Sequence, residues 1–167
     1  LGHVDASVLY QWVQQAGIRW GVDAADRQHT GVPGTHENTF RAGLDRLFLG
    51  LAMDGREQRS FMGVAPVDGI EGNEQAALGA FADLCDKLFE LRESARELRD
   101  VAGWVAWLSH ALDALVLPGV AAKERAAMRS VLAGWARRAE TAQSTTRFPL
   151  RAVRSVLQGL DTAARID

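Results

Sequence analysis

The chain has 167 residues, of which 47% are hydrophobic and 24% charged, and this is the size and composition of one ordinary soluble domain that buries about 70% of its unfolded surface. No apolar run approaches the ~20 residues that cross a bilayer, and the first residues lack the basic and apolar regions of a signal peptide, so we expect a cytoplasmic protein without membrane contact. The formal charge of −2 argues against a standalone nucleic-acid binder, because such domains are normally basic.

Helical periodicity dominates the first part of the sequence. Asp5 is suited to cap a first helix, and Gly17 is suited to the left-handed backbone that follows a helix end. A polar loop that contains glycine and proline follows over residues 18–37. Asn38 is then expected to cap a second helix that extends to about Met53.

The next segment, residues 54–73, contains several glycines and Pro66 and is expected to be irregular. Asn73 is expected to cap a third helix that ends near Glu93. Cys85, the only cysteine of the chain, falls on the apolar stripe of this helix. We therefore predict a buried thiol, and the chain has no second cysteine with which to form a disulfide or a zinc site.

Three more helices are predicted in the second half. The fourth helix begins near Asp100, and Pro118 lies just beyond its end. The fifth covers residues 120–140, and the sixth opens at Pro149, a favoured residue of a first helical turn. The predicted inward stripe of the fifth helix is formed by Met128, Val131, Leu132 and Trp135.

No stretch of the sequence has the pattern of a strand. The predicted fold is therefore all-α, an irregular bundle of about six helices with a long loop after the first helix. Its length and continuous helical pattern predict one helical domain over residues 1–167.

Two glycines in the second helix, Gly43 and Gly50, are seven residues apart and fall on nearly the same edge of the helix. Each interior glycine costs about 1 kcal/mol relative to alanine. The pair therefore suggests that another part of the backbone packs closely against this helix, although an exposed edge under no constraint would give the same pattern.

The residues do not form a recognised catalytic or cofactor site. No GxxxxGK[ST] phosphate loop is present. Asp23 and Asp26 lie near His29 and His36, but they lie in the polar loop without regular metal-ligand spacing, so a solvated loop is the preferred interpretation. We predict no catalytic residue, no metal ligand and no cofactor.

The tryptophans are candidates for base stacking or for the core. Four of the five have helical spacing and aliphatic neighbours, which is typical of core residues. Trp20 instead follows Arg19 in a loop between glycines, so three roles stay open: anchoring of the loop, contact with a partner protein, and contact with nucleic acid. Arg19, Trp20 and Arg41 are the candidate residues for contact with DNA or a partner.

Two stretches in this order, WVQQAGIRWGVD at residues 12–23 and NTFRAGLDRLFLG at residues 38–50, resemble the gamma chain (RecC) family of bacterial exodeoxyribonuclease V, the RecBCD helicase–nuclease. The resemblance continues through VAPVDGIEG at residues 64–72 and, more weakly, to the last helix. Leu1 in place of an initiating Met, and an end soon after the last helix, fit a segment excised from a longer chain.

The resemblance implies a parent subunit with a helicase-like body that has lost its ATPase motifs and a nuclease-like domain without catalytic residues. Such a subunit helps to split the duplex, guides the strands through channels and lets the complex recognise the Chi sequence. This segment is similar to the helical accessory insertion of superfamily-one helicases. The resemblance therefore implies a non-catalytic role in double-strand-break repair and recombination, with DNA and the other subunits of a RecBCD-type complex as partners.

A second hypothesis is a free-standing helical adaptor that binds protein or a small apolar ligand and is unrelated to DNA. Composition does not separate the two hypotheses, but the two stretches favour the first. A third, an enzyme with an unfamiliar site, has no supporting set of residues. The negative charge also predicts weak DNA binding, with a dissociation constant of roughly 10 μM or poorer near physiological salt and a shallow salt dependence.

Overall fold

The computed structural model describes residues 5–53, 60–117 and 119–155, and in these ranges the chain is all-α, as the sequence predicted. Its helices are α1 (Ala6–Gln15), α2 (Ala24–His29), α3 (Phe40–Ala52), α4 (Gln75–Ser94), α5 (Val101–Leu115) and α6 (Ala122–Thr141). Residues 150–155 are also helical. None of the helices in the described ranges is both long and apolar enough to cross a membrane.

The chain forms two compact units, Leu1–Asp86 and Lys87–Asp167, and the boundary between them falls within α4. We call them the N-terminal unit and the C-terminal unit. The single domain over residues 1–167 stays a prediction. Pro118 and the part of the predicted sixth helix beyond residue 155 lie outside the described residues.

Helix α1 has the caps that the sequence predicted. The main-chain N–H of Ser7 donates to the Asp5 carboxylate at 2.9 Å, and this hydrogen bond lowers the pKa of that carboxyl group. At the other end Gly17 has a φ of +69°, and the N–H groups of Gly17 and Ile18 each donate at 3.0 Å to carbonyls of the last turn. This is the Schellman arrangement, which satisfies carbonyls that a helix end leaves free. Trp12 is buried on the inner face of the helix.

Helix α2 lies within the predicted loop over residues 18–37 and was not predicted. Its six residues, AADRQH, have no apolar stripe, so helical periodicity could not detect it. The available signal was Asp23 followed three residues later by Asp26, a spacing found at helix starts. Asp23 is the cap, and it accepts a hydrogen bond from the N–H of Asp26 at 2.8 Å.

Helix α3 is the most buried helix of the N-terminal unit, and its cap differs from the prediction by one residue. Thr39 is fully buried, and its hydroxyl oxygen accepts a hydrogen bond from the N–H of Ala42 at 3.2 Å. Asn38, the predicted cap, instead has a left-handed backbone with φ of +61°. Leu44 and Leu47 are buried on the inner face.

Both glycines of α3 are buried against another part of the chain. A methyl group added at Gly50 would overlap the main-chain carbonyl oxygen of Val67 and lie 3.0 Å from its carbonyl carbon. A methyl group added at Gly43 would overlap the side chain of Ile18. The predicted close approach of another part of the backbone is therefore confirmed at Gly50, whereas the close neighbour of Gly43 is a side chain.

Helix α4 begins two residues after the predicted cap, Asn73, because a 3₁₀ turn precedes it. The turn covers Gly72–Glu74, and the Glu74 carboxylate accepts a hydrogen bond from the N–H of Glu71 at 2.9 Å, as in a capping box. Cys85 is only 2% exposed, so the predicted buried thiol is confirmed. Burial raises the pKa of this thiol to about 11.

The C-terminal unit has its own core, in which α5 packs against α6. Helix α5 starts next to Asp100, as predicted, and Asp100 is its cap, which accepts a hydrogen bond from the N–H of Gly103 at 2.8 Å. The buried core cluster consists of Val101, Trp104, Leu132, Trp135 and Val153. Met128 and Val131 were predicted to face inward on α6 but are 44% and 39% exposed, so the buried stripe of this helix is narrower than its apolar pattern.

Candidate functional site

The polar loop over residues 18–37 is ordered by its own acidic and basic side chains. The Asp26 carboxylate accepts a hydrogen bond from the N–H of Val22 at 2.9 Å, and Asp23 caps α2. Both acids therefore hold the loop in place. Among the described residues no group of three or more His, Cys, Asp and Glu side chains is arranged to hold a metal ion.

Arg27 is the centre of this loop and is only 5% exposed. Its Nη1 donates to the carbonyl of Thr35 at 3.1 Å, to the Thr35 hydroxyl at 2.7 Å and to the carbonyl of Glu37 at 2.8 Å. Its Nη2 donates to the carbonyl of Trp20 at 3.0 Å. One guanidinium group thus joins the beginning and the end of the loop.

Gly21 makes room for this arginine. It has a φ of +80°, a conformation that L side chains rarely adopt, and a Cβ atom there would lie 3.0 Å from Cγ of Arg27. The sequence indicated the glycine as a loop residue but did not reveal Arg27. The partners of Arg27 are main-chain carbonyls and one hydroxyl, so no pattern of opposite charges in the sequence indicates its role.

Trp20 lies on the guanidinium group of Arg27, with Cζ 4.8 Å from the ring centroid. The side chain is nevertheless 44% exposed. The guanidinium group against the ring thus belongs to Arg27, seven residues further along the chain, and not to the preceding Arg19. One face of the ring therefore anchors the loop, and part of the ring stays accessible to another molecule.

The two distinctive stretches of the sequence meet in this region. The carbonyl of Asn38 accepts hydrogen bonds from the N–H groups of Arg19 at 3.0 Å and Trp20 at 3.4 Å. The N–H of Phe40 donates to Gly21 at 2.9 Å, within the same region. Main-chain hydrogen bonds thus fix the position of Trp20 relative to the start of α3.

The three candidate contact residues have different surroundings. Arg19 is exposed, and in the described part of the chain its guanidinium group forms no hydrogen bond or ion pair. Arg41 is also exposed, but its Nη1 lies 2.7 Å from a carboxylate oxygen of Asp86 on α4. Arg19 and Trp20 therefore form the accessible part of the site, whereas Arg41 is already engaged in an ion pair.

Arg46 of α3 lies next to the glycine edge. Its Nη1 donates to the carbonyl of Ala16 at 2.8 Å, and its Nε donates to the carbonyl of Ala65 at 3.0 Å. It connects α3 to the end of α1 and to the segment after residue 60, so its role is structural.

The two histidines near the loop have separate neighbours. Nδ1 of His29 lies 2.8 Å from the carbonyl of Ala25, one turn earlier in α2. Nε2 of His36 lies 3.9 Å from a carboxylate oxygen of Asp45 on α3. The site therefore offers an aromatic ring and a guanidinium group as its accessible chemistry, and this combination suits stacking and anion contact.

Comparisons with known proteins identify relatives over most of the chain. Residues 1–163 match the family model of the RecBCD enzyme subunit RecC fourth domain. The RecBCD enzyme subunit RecC of Mycolicibacterium smegmatis is 33% identical over 114 residues, which are 68% of this chain and 10% of that protein. RecC of Escherichia coli is 33% identical over 127 residues, 76% of this chain and 11% of that protein. RecC of Mycobacterium tuberculosis is 29% identical over 111 residues, 66% of this chain and 10% of that protein.

Proposed function

The chain belongs to the RecC family, in the region of its fourth domain, and we propose that it is a non-catalytic part of a RecBCD-type helicase–nuclease. In this proposal it shapes the path of a DNA strand and contacts partner subunits during double-strand-break repair and recombination. The chain spans about a tenth of the length of the curated relatives it matches, so the partners and DNA of a whole subunit come to it only through this proposal. Its place in the family favours this role over a free-standing adaptor.

The observation that carries the proposal is the accessible ring of Trp20, next in sequence to Arg19, whose guanidinium group has no hydrogen bond or ion pair within the described residues. Tryptophan and arginine are the residues that most often dominate binding energies at protein interfaces, and an exposed ring is also a surface on which a base can stack. Hydrogen bonds fix the main chain of Trp20, and Arg27 holds one face of its ring. A pre-organised side chain loses little conformational entropy on binding, which favours a contact role.

The amino-acid sequence supports the proposal that this segment is non-catalytic. ATP hydrolysis by known motors needs a glycine-rich phosphate loop with a lysine, and none is present. The acids closest to the candidate site, Asp23 and Asp26, hold main-chain N–H groups. We therefore assign the segment a role in position and contact rather than in chemistry.

Substitution of Trp20 in the full-length parent subunit tests this role. The Trp20→Ala subunit would be reconstituted with its partner subunits, and assembly by gel filtration and ATP-dependent unwinding of a DNA end would be measured. We expect a loss of roughly 10-fold or more in one of the two, since a stacked base or an interface tryptophan contributes about 1–3 kcal/mol.

Two further variants control this experiment. Arg19→Gln leaves the ring and the fold unchanged, and we expect it to weaken the same step. Tyr10→Ala removes another exposed ring, 67% accessible on α1, and is expected to have no effect. Assembly and unwinding at the unsubstituted level for both Trp20→Ala and Arg19→Gln would refute the proposed contact.

A further inference from the structure

Charge is distributed unequally between the two units. Residues 1–86 contain 6 basic and 12 acidic side chains, a formal charge of −6, whereas residues 87–167 contain 13 basic and 9 acidic side chains, a formal charge of +4. The small net charge of the chain is therefore the balance of two opposite ones. A cationic surface can exist on the C-terminal unit although the whole chain is slightly acidic.

Five arginines of the C-terminal unit form what we call the basic end: Arg137, Arg138, Arg147, Arg151 and Arg154. All five are exposed, and within the described ranges none of their guanidinium groups makes a hydrogen bond or an ion pair. Between residues 134 and 155 the only acidic side chain is Glu140.

Other arginines of the same unit are paired with acids. Arg99 binds Glu97 at 2.9 Å, and both Arg125 and Arg129 bind Asp113. Arginines elsewhere in the C-terminal unit are thus paired with acids, whereas those of the basic end are not.

The three segments that carry these five arginines pack against one core. Each arginine lies within three residues of Trp135, Phe148 or Val153. Trp135 and Val153 belong to one buried cluster, and Phe148 packs against that cluster, with its ring centroid 6.3 Å from that of Trp135. The C-terminal end of α6, the segment before Phe148 and the residues around Val153 therefore meet at one core.

Helix electrostatics do not account for the whole set. Arg138 lies in the last turn of α6, where a positive charge is favoured by the helix dipole. Arg151 instead lies in the first turn of the helical segment over residues 150–155, where a positive charge is disfavoured, and Arg154 follows three residues later. They are three residues apart and so project on the same side of the helix. Their presence there suggests an anionic partner.

The surface next to the first two arginines has a shallow, open depression. It has a volume of about 410 Å³ and is lined by Gly134, Arg137, Arg138, Thr141 and Ala142. The surface at Gly134 is open, since a Cβ atom there would have only Nη2 of Arg137 within 4 Å, at 3.8 Å. Guanidinium groups at such an opening can bind phosphate oxygens in a bidentate manner.

We propose that the basic end binds the sugar–phosphate backbone of a single DNA strand, with up to one phosphate for each of its five arginines. The choice of DNA over an acidic protein surface rests on the proposed function. The surface itself rests on the charge, exposure and placement of the five side chains. It lies on the C-terminal unit and is distinct from the Arg19 and Trp20 site of the N-terminal unit.

The salt dependence of binding measures the number of phosphates contacted. Each phosphate neutralised on a single strand contributes about −0.7 to the slope of log affinity against log salt, so five contacts give about −3.5. For the purified 167-residue chain and a fluorescent 20-nucleotide oligothymidylate, affinity from anisotropy should fall about 100-fold between 50 and 200 mM salt.

Paired substitutions separate the basic end from net charge. In Arg137→Gln/Arg138→Gln and in Arg151→Gln/Arg154→Gln the fall should shrink to about 20-fold, because three contacts remain. The matched control, Arg96→Gln/Arg129→Gln, removes the same charge from arginines that are paired with Glu93 and Asp113 and should keep the fall of about 100-fold. Circular dichroism verifies that each variant is folded.

Equal salt slopes for the two test pairs and the control would overturn the proposal. If these variants also failed to assemble with the partner subunits, the basic end would bind an acidic protein surface instead, and the DNA proposal would again be wrong. The anisotropy measurement needs no partner subunit, so its failure leaves the assembly test of the Trp20 site unaffected.

Discussion

At the scale of single residues, a buried arginine, and not an apolar core, holds the polar loop in its conformation. The loop over residues 18–37 has few large apolar side chains, yet its carbonyls at Trp20, Thr35 and Glu37 are all bound by Arg27. The arginine binds main-chain oxygens and the hydroxyl of Thr35. The guanidinium group of Arg27 therefore holds the loop together and, with the main-chain hydrogen bonds to Asn38, fixes the position of Trp20.

Removal of this group should destabilise the chain strongly. We expect Arg27→Ala to lower the free energy of unfolding by about 2–4 kcal/mol, because three carbonyls of the loop lose their donor. Arg19→Ala, in the same loop but exposed, should change it by less than about 0.5 kcal/mol. Urea melts of both variants measure the difference, and equal effects would show that the loop does not depend on Arg27.

Cys85 makes a second prediction at this scale. With a pKa near 11 instead of 9.0, the folded thiol has about 100-fold less thiolate near pH 8 than a free thiol. Iodoacetamide should therefore alkylate the native chain at least ~100-fold more slowly than the chain in urea. Above pH 9.0 the unfolded thiol ionises first, so this group should lower stability as the pH rises towards 11. Equal alkylation rates in the two states would contradict the buried thiol.

At the scale of elements, the glycines of α3 and α4 occupy opposite environments. A Cβ atom at Gly50 meets main chain, one at Gly43 meets a movable side chain, and one at Gly79 in α4 has no atom within 4 Å. Main chain adjusts less easily than a side chain, so the three positions should respond differently to the same substitution.

Alanine at each position tests this order. We expect Gly50→Ala to destabilise by roughly 1–3 kcal/mol and Gly43→Ala to destabilise by less, since Ile18 can move. Gly79→Ala should stabilise the chain by up to about 1 kcal/mol through helix propensity and reduced freedom of the unfolded state. The free energy of unfolding from urea melts at constant slope decides. A gain in stability for Gly50→Ala would contradict the close contact between α3 and Val67.

Sequence reasoning predicted those elements whose signals are local. Asp5 caps its helix as expected, and α5 starts next to Asp100 as expected, because a cap requires only one side chain and the N–H groups two or three residues later. It missed α2, whose order depends on hydrogen bonds from Arg27 to residues 8 and 10 positions later. It also placed Met128 and Val131 inside, because periodicity indicates which face of a helix is apolar but not how much of it is covered.

The surroundings of the candidate site residues could be predicted from the sequence only in part. Trp20 was singled out by its neighbours, and it is partly exposed on a fixed loop. The ion pair of Arg41 with Asp86 could not be predicted, because Asp86 lies 45 residues away on another helix. The net charge was also a poor guide to DNA binding. The formal value of −2 suggested a shallow salt dependence, whereas the arginines of the basic end now lead us to expect a steep one.

At the scale of the whole molecule, the chain should have no turnover of its own. We expect the purified chain neither to hydrolyse ATP nor to degrade linear DNA, with or without magnesium, because the sequence lacks a phosphate loop and a recognisable carboxylate–lysine nuclease motif. Phosphate release and fragment length measure the two activities. Turnover that co-elutes with the chain and stays after removal of host enzymes would contradict a non-catalytic segment.

We propose above all that this RecC-family segment contributes a contact surface to a larger DNA-processing complex. This contact is tested most directly by placing photo-reactive benzoylphenylalanine at the position of Trp20 in the full-length parent subunit. The reconstituted complex would be bound to a DNA end, irradiated and examined for covalent products. We predict a crosslink to a DNA strand or to a partner subunit. Reaction only within the parent subunit, or no crosslink, would contradict the account.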